Sequence, residues 1–223
     1  MSSGTPAVGA AILRPVGPPT EALASRASAR DRILDTAYEL FSRNGIRAVG
    51  IDRIISESGV AKMSLYRNFR SKDELVLAFL AEREERWTRG WLQAEAQRRG
   101  ETGAERLLAI FDVFGEWFAQ ADFEGCSFIN VLLEFTDADH PVRTASARHL
   151  ANIRGYVQEF AEQAGVDDPE ALAGQWHILM KGSIVAAAEG DTQAAARAHR
   201  LGQLLLASEG ALEGTGAGGL PQG

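Results

Sequence analysis

The chain has 223 residues, of which 45% are apolar and 24% are charged, and its formal net charge is −7. This composition is typical of a globular protein, and it excludes a fully disordered chain, a collagen-like fibre and a low-complexity tail. The one cysteine, Cys126, excludes an intrachain disulfide framework and a cysteine-rich zinc site, and the histidines lack metal-ligand spacing, so we expect neither a metal nor a cofactor.

The two ends of the chain differ from its middle in proline and glycine. Four of the seven prolines lie in the first 19 residues among Gly, Ala and Ser, which predicts a disordered arm over residues 1–25. Six glycines in the last fifteen residues predict a flexible tail over residues 209–223. Between these ends the chain is rich in Ala, Leu, Glu and Arg and contains only Pro141 and Pro169, which predicts an all-α fold.

Apolar residues at spacings of three and four, together with capping residues, predict nine helices. They cover residues 30–43, 51–58, 62–68, 71–99, 104–119, 127–135, 141–164 and 169–189, and a last helix that runs to about 207 from a cap at Asp191 or Thr192. Ser71 and Glu74 form a predicted capping box at the start of the long fourth helix. No strand pattern competes with these helices.

Residues 51–69 read IDRIISESGVAKMSLYRNF and carry the clearest functional signal. Two short helices meet at Gly59, whose freedom to adopt a left-handed backbone suits a tight turn between helices. In a helix-turn-helix protein, the N-terminal end of the second helix meets the major groove of DNA. The alternative interpretation is that these are two packed helices in an ordinary helical protein.

The distribution of charge supports the first interpretation. Residues 26–72 carry ten basic and five acidic side chains, whereas residues 73–223 carry 12 basic and 24 acidic ones. A basic block that precedes an acidic body is typical of a nucleic-acid-binding unit joined to a different kind of domain.

Residues 28–75 resemble the DNA-binding domain of tetracycline-repressor (TetR) family regulators. The segments that carry the resemblance are Ile33–Ala37, Leu40–Phe41, Asn44–Gly45, Ile54, Glu57, Gly59–Val60, Lys62, Ser64–Tyr66, Phe69 and Ser71–Leu75. The resemblance implies an N-terminal three-helix helix-turn-helix domain, residues 26–72, joined by a long helix to a C-terminal helical ligand-binding and dimerisation domain, residues 73–208. It also implies a homodimer that binds double-stranded operator DNA.

The resemblance also implies roles for individual residues of the DNA-binding domain. Lys62 and Tyr66 would contact phosphates, Ser64 and Met63 would face base edges, and Arg47 is a further phosphate candidate. Leu65 and Phe69 are expected in the core. The family commonly has a hydroxyl residue near positions 49 and 50, where this chain has Val49 and Gly50, so that phosphate contact is in doubt.

The acidic body is dense in aromatic residues, with seven between residues 105 and 135. Core packing explains any one of them, but several together can line a cavity for a mostly apolar or aromatic effector. Our candidates for contact with that effector are Phe111, Phe114, Trp117, Phe118, Phe128, Trp176 and Met180, with Asn130 and His177 as polar contacts.

The last two helices are the predicted dimer interface, because two from each subunit make a four-helix bundle. The predicted interface residues are Leu172, Leu179, Ala186, Leu201, Leu204 and Leu205. The alternative is that both helices pack only on their own subunit.

These features predict a ligand-responsive transcription repressor that an apolar small molecule releases from a palindromic operator. One alternative is an architectural DNA-binding protein without an effector, and a more remote one is a small enzyme that uses Cys126 as a nucleophile. Neither a catalytic motif nor an uninterrupted apolar run of membrane-spanning length occurs, so we expect no enzyme activity and no membrane contact. The lone cysteine and the lack of a signal-peptide pattern favour the cytoplasm.

Overall fold

The structure is a computed structural model that describes residues 28–211. The predicted arm over residues 1–25 and the tail beyond residue 211 lie outside the described residues. Within residues 28–211 the chain is all-helical, which confirms the predicted fold class. The helices are α1 (Ala29–Asn44), α2 (Ile51–Ser58), α3 (Lys62–Asn68), α4 (Lys72–Arg83), a π-helical segment (Glu84–Gln93), α5 (Ala94–Arg99), α6 (Gly103–Phe118), α7 (Ser127–Glu134), α8 (Pro141–Gln163), α9 (Pro169–Ala188) and α10 (Ala194–Ser208).

Helices α1 to α3 form a small unit that we call the head. Its core contains Ile33, Ile54, Leu65 and Phe69, which are almost completely buried. The turn between α2 and α3 depends on Gly59, whose φ of 64° and ψ of 25° are left-handed, as its sequence position predicted. The head therefore derives its shape from a local turn and a compact apolar core.

The helix starts follow the predicted capping residues with two corrections. Ser71 accepts a hydrogen bond from the Glu74 amide at 3.1 Å, but the Glu74 carboxylate accepts from the Arg70 amide instead of from Ser71. The last helix begins at Ala194, so the prediction of a cap at Asp191 or Thr192 is wrong. The Asp191 carboxylate instead accepts from the Gln193 amide and pairs with the Arg197 side chain.

The predicted long helix over residues 71–99 is continuous but not uniform. Its middle, Glu84–Gln93, is π-helical, with about one more residue per turn than an α-helix. This wider turn places Glu84, Trp87 and Thr88 on the buried side. Helical periodicity alone could not predict it, because the partners of Glu84 on α8 and of Trp87 on α6 lie far away in sequence.

The rest of the chain, from α4 to α10, forms the body, with α6 packed against α8, α9 and α10. Two glycines allow close approach between its helices. A Cβ at Gly103 would lie 2.2 Å from the Phe160 carbonyl oxygen, and one at Gly202 would lie 2.6 Å from the Trp176 ring. None of the helices in residues 28–211 has both the length and the apolar character needed to cross a lipid bilayer.

Candidate DNA-binding surface and effector core

The first turns of α3 form an exposed surface on the head. Met63 is 66% exposed and Tyr66 is 43% exposed, and the Lys62 side chain beside them is also mostly in solvent. Ser64 is only half-buried, while Leu65 and Phe69 point into the head, as predicted. The four predicted contact residues of this helix therefore share one accessible end of α3.

The charges on this surface are weakly paired. Lys62 Nζ lies 3.7 Å from Asp52 Oδ1, and both side chains are largely exposed. Exposed ion pairs of this kind contribute little to stability, so the Lys62 ammonium is available to a phosphate. Arg47, the fifth predicted contact, lies in the exposed loop before α2.

The start of α2 lacks a side-chain cap. Gly50 is its N-cap residue and makes no side-chain hydrogen bond, and Val49 is fully buried. No hydroxyl group stands at these two positions, so the phosphate contact that a hydroxyl would provide there has no donor side chain.

A carboxylate of the body holds the loop that carries Arg47. Glu134, at the end of α7, accepts hydrogen bonds from the Ile46 amide at 3.1 Å and from the Arg47 amide at 2.7 Å. Lys72 Nζ donates to the Ile46 carbonyl oxygen at 2.5 Å on the same loop. Burial lowers the pKa of Lys72, and the nearby Glu134 and Asp73 carboxylates act in the opposite direction. We call the contacts of Glu134 and Lys72 with Ile46 and Arg47 the interdomain clamp.

Sequence reasoning missed this clamp. Glu134 and Ile46 are 88 positions apart, and a glutamate at the end of an amphipathic helix is normally a solvated residue. No local pattern distinguishes such a glutamate from one that bonds a distant loop.

Several aromatic residues of the body form one packed cluster around Trp117. The Trp117 ring lies 4.7 Å from Trp87, 5.6 Å from Phe114 and 4.9 Å from Phe123, measured between centroids. Trp87, which the sequence analysis did not include, joins the cluster from the π-helical segment. The aromatic side chains therefore fill most of the space that they were expected to line.

A small apolar cavity of about 10 Å³ remains beside this cluster. Three predicted effector contacts line it, namely Phe114, His177 and Met180. A cavity of this volume holds no more than about one water molecule, so an effector needs the surrounding helices to move apart.

The other predicted effector residues do not line this cavity. Phe111 and Trp176 pack on each other with their ring centroids 5.2 Å apart, Phe128 stacks on His149, and Phe118 packs on Phe123. Asn130 is exposed and donates to the Glu124 carbonyl oxygen, so its predicted place in an apolar cavity is wrong. The α7 helix turns this amide away from the core.

His177, the second predicted polar contact, is buried on α9. Burial, together with the nearby Lys181 and Arg154 charges, lowers the pKa of His177 to about 4. The imidazole is therefore neutral at pH 7 and can both donate and accept a hydrogen bond.

Cys126 is also buried, at the start of α7. Burial raises the pKa of its thiol, which keeps the sulfur protonated at neutral pH. Because the thiolate is the nucleophilic form, this environment disfavours a catalytic role.

The predicted dimer residues separate into three groups by exposure. Leu172 is 1% exposed and packs inside its own chain, so its assignment to the interface is wrong. Leu179, Ala186 and Leu205 are half-buried. The predicted Leu201 and Leu204 on α10 are exposed, and α9 has two further large exposed apolar side chains, Ile178 and Val185.

Comparison with known proteins follows the same division of the chain. Residues 33–79 match the family described as bacterial regulatory proteins, tetR family, and residues 103–201 match the tetracyclin repressor-like C-terminal domain. The HTH-type transcriptional regulator YjdC of Escherichia coli is 23% identical over 181 residues, which cover 79% of this chain and 93% of YjdC. The transcriptional activator FasR of Mycolicibacterium smegmatis is 35% identical over 100 residues, which cover 45% of this chain and 44% of FasR.

Solved structures show the same likeness. The regulator SCO4454 of Streptomyces coelicolor superposes with a TM-score of 0.74 at 29% identity, covering 84% of this chain and 94% of SCO4454. Its description is a TetR-family transcriptional regulator. The likeness extends over head and body together.

Proposed function

The chain belongs to the TetR family of DNA-binding transcription regulators, and from this premise we propose that it is a homodimeric repressor that a small molecule releases from a palindromic operator. Members of this family bind DNA, dimerise and respond to small-molecule effectors. A regulator of this kind acts beside the chromosome, in the bacterial cytoplasm.

The observation that carries the proposal is the exposed end of α3. Lys62, Met63 and Tyr66 stand in solvent on a helix whose other face, with Leu65, is anchored in the core of the head. A rigid helix with an exposed polar end is what reading of the major groove requires. The basic charge of residues 26–72 provides attraction to the phosphates of DNA.

Lys62 and Tyr66 are assigned to phosphates, and this assignment predicts a specific result. Lys62→Ala and Tyr66→Ala should weaken binding by similar factors on operator and unrelated DNA, because phosphate contacts carry no base information. Lys62→Ala should also reduce the slope of log affinity against log salt by about one. Fluorescence anisotropy over a salt series measures both quantities.

Ser64 provides the contrasting variant. Ser64→Ala should change the ranking of operator variants by about 1–3 kcal/mol at the affected base pair, while affinity for unrelated DNA stays the same. An unchanged salt slope in Lys62→Ala, or a Ser64→Ala protein with unaltered sequence preference, would show that α3 is not the reading helix.

The proposed effector enters the body where Phe114, His177 and Met180 surround the small cavity. An apolar or aromatic molecule fits this environment, with the neutral His177 ring as a hydrogen-bonding partner. The ligand would stabilise an opened arrangement of the body, and the continuous helix from Lys72 to Arg99 would transmit the change to the head. A changed spacing of the two reading helices then no longer matches successive major grooves.

His177→Phe tests the effector site without removing ring volume. For a ligand that releases wild-type protein from operator DNA and carries a hydrogen-bonding group, this variant should weaken release by about threefold to tenfold. Its affinity for DNA without ligand should stay the same. Ligand binding is measured by quenching of tryptophan fluorescence, and release of DNA by the loss of its fluorescence anisotropy. If no compound in a broad panel of apolar small molecules produces either signal, the effector proposal is contradicted.

Two other functions receive less support. An architectural DNA-binding protein without an effector fits the closed aromatic cluster, and DNA affinity that no small molecule alters would favour it. A cysteine-dependent enzyme is disfavoured by the burial of Cys126 and by relatives that are regulators. Turnover of an ester panel that is lost in Cys126→Ala would favour the enzyme.

A further inference from the structure

The small cavity of the body has one polar wall, which belongs to α9. Four residues of this helix line the cavity: His177, Met180, Lys181 and Ile184. Their spacings of three and four residues place them on one face of the helix. The other walls come from the π-helical segment, α6, α7 and α8, and they are apolar except for the Cys126 thiol. Lys181 is half-buried and the other three α9 residues are buried, so Lys181 lies on the side of the cavity toward solvent.

His177 has no partner for its ring nitrogens. It is 4% exposed and makes neither a hydrogen bond nor an ion pair among residues 28–211. Each of the other three histidines, His140, His149 and His199, has a ring nitrogen beside a carboxylate oxygen. Buried polar groups are normally hydrogen-bonded, because they have given up their bonds to water. An unpaired imidazole in a cavity wall is therefore free to bond a polar group of a ligand.

Lys181, one helical turn beyond His177, is a second unpaired group. It is the only lysine of residues 73–223, which carry 12 basic and 24 acidic side chains, yet it has no carboxylate partner among residues 28–211. Burial lowers the pKa of His177 most, and the positive charges of Lys181 and Arg154 lower it further, without an opposing carboxylate from the described residues. The polar wall of the cavity is therefore electropositive within an acidic body.

We propose that the effector of this cavity is an amphipathic carboxylic acid, whose carboxylate accepts hydrogen bonds from Lys181 Nζ and the His177 ring and whose aromatic or alkyl part lies among the apolar walls. This inference rests on the proposed effector role of the cavity and adds a negative charge to the ligand. A carboxylate leaves water at acceptable cost only when it is paired and hydrogen-bonded. Lys181 provides the charge, and the neutral His177 ring provides one N–H donor.

The apolar part of the acid needs more space than the cavity of about 10 Å³ offers. Met180 can provide some of it, because an unbranched thioether side chain repacks easily. Trp87 lines the same cavity and belongs to the π-helical segment, in the middle of the continuous helix that leads to the head. Displacement of the Trp87 ring by the ligand therefore acts directly on that helix.

Isothermal titration of the full chain with matched acids, alcohols and amines tests the proposal. The probes are 4-phenylbutanoate and decanoate, each with the alcohol and the amine of the same carbon skeleton. At least one of the two acids should bind about tenfold or more tightly than its alcohol and its amine, because only the acid forms charge-assisted hydrogen bonds with this wall. Lys181→Met should weaken binding of that acid about tenfold and leave binding of the alcohol unchanged, whereas Lys181→Arg should retain binding of the acid.

Arg148→Met is the matched control, since it removes one positive charge from an exposed position on α8 outside the cavity lining. It should bind the acid as the wild-type protein does. Equal weakening in Lys181→Met and Arg148→Met would reduce the effect to general attraction between charges and overturn the proposal. The proposal is also overturned if neither acid binds at millimolar concentration, or if the alcohols or amines bind as tightly as the acids. The last two comparisons use wild-type protein and do not depend on the folding of a variant.

DNA release separates this inference from the proposed function. An alcohol that releases operator DNA while the matched acid does not would overturn the acid assignment and leave the repressor proposal intact. An acid that binds in a Lys181-dependent manner without changing operator affinity would support the site assigned to it and contradict its role as the releasing ligand.

Discussion

Leu204→Glu should convert the protein from dimer to monomer and abolish operator binding at concentrations where the wild type is saturated. Leu204 is 67% exposed on α10, as Leu201 is on the same helix, and Ile178 and Val185 are exposed on α9, which packs against α10. The two-fold symmetry of a dimer places two new carboxylates in the apolar interface, so dimer affinity should fall by about 100-fold or more. A monomer reaches only one half-site, which lowers operator affinity by a comparable factor.

Sedimentation velocity at micromolar concentration, followed by anisotropy with operator DNA, measures both effects. Leu133→Glu is the matched control, because Leu133 is 72% exposed on α7, outside the α9–α10 pair. It should remain dimeric. A wild-type protein that sediments as a monomer, or a Leu204→Glu protein that remains dimeric, would contradict this interface.

Glu134→Ala should produce the second large effect, through the interdomain clamp. The substitution removes a charged acceptor from the Ile46 and Arg47 amides, and hydrogen bonds to charged groups contribute about 1.5–3 kcal/mol each. Without it, the loop that carries Arg47 loses its attachment to the body. We expect operator affinity to fall about tenfold. We also expect an effector to release DNA less efficiently, because motions of the body are then coupled less strongly to the head.

Hydrogen exchange provides a direct readout of the clamp. Protection of the Ile46 and Arg47 amides should fall in Glu134→Ala, while amides in the core of the body stay protected. Glu124→Ala is the control: its ion pair with the exposed Arg43 spans 3.8 Å, so its removal should change operator affinity less than threefold. Unchanged exchange and unchanged DNA affinity in Glu134→Ala would leave the clamp without a functional role.

The parts of the chain that could be predicted are those built from neighbours in sequence. The helix-turn-helix unit depends on the spacing of Ile54, Leu65 and Phe69 and on a glycine at the turn, and all of these act over a few residues. Caps at Ser71 and Asp168 act over three residues. Exposure of Lys62, Met63 and Tyr66 follows, because the opposite face of the same helix carries the buried residues.

The features that could not be predicted depend on contacts between distant segments. Leu172 and Leu204 have similar local patterns, and only the packing of α9 into the body buries the first and leaves the second in solvent. The density of aromatic residues between 105 and 135 indicated that these side chains are in the interior of the body. It did not indicate that Trp87 packs with them, or that the cavity beside the cluster is only about 10 Å³.

The sequence by itself therefore determined the all-α class, the helix-turn-helix unit and the charge difference between residues 26–72 and residues 73–223, since helix periodicity, turn chemistry and composition are local properties. Tertiary structure alone decided the π-helical turn, the clamp at Glu134 and the closed state of the aromatic core. Each of these features depends on contacts between side chains that are dozens of residues apart in sequence, such as the hydrogen bond between Glu84 and His149. Whether a polar side chain is solvated or hydrogen-bonded inside the protein depends on such a distant partner, which the residues next to it in the sequence do not indicate.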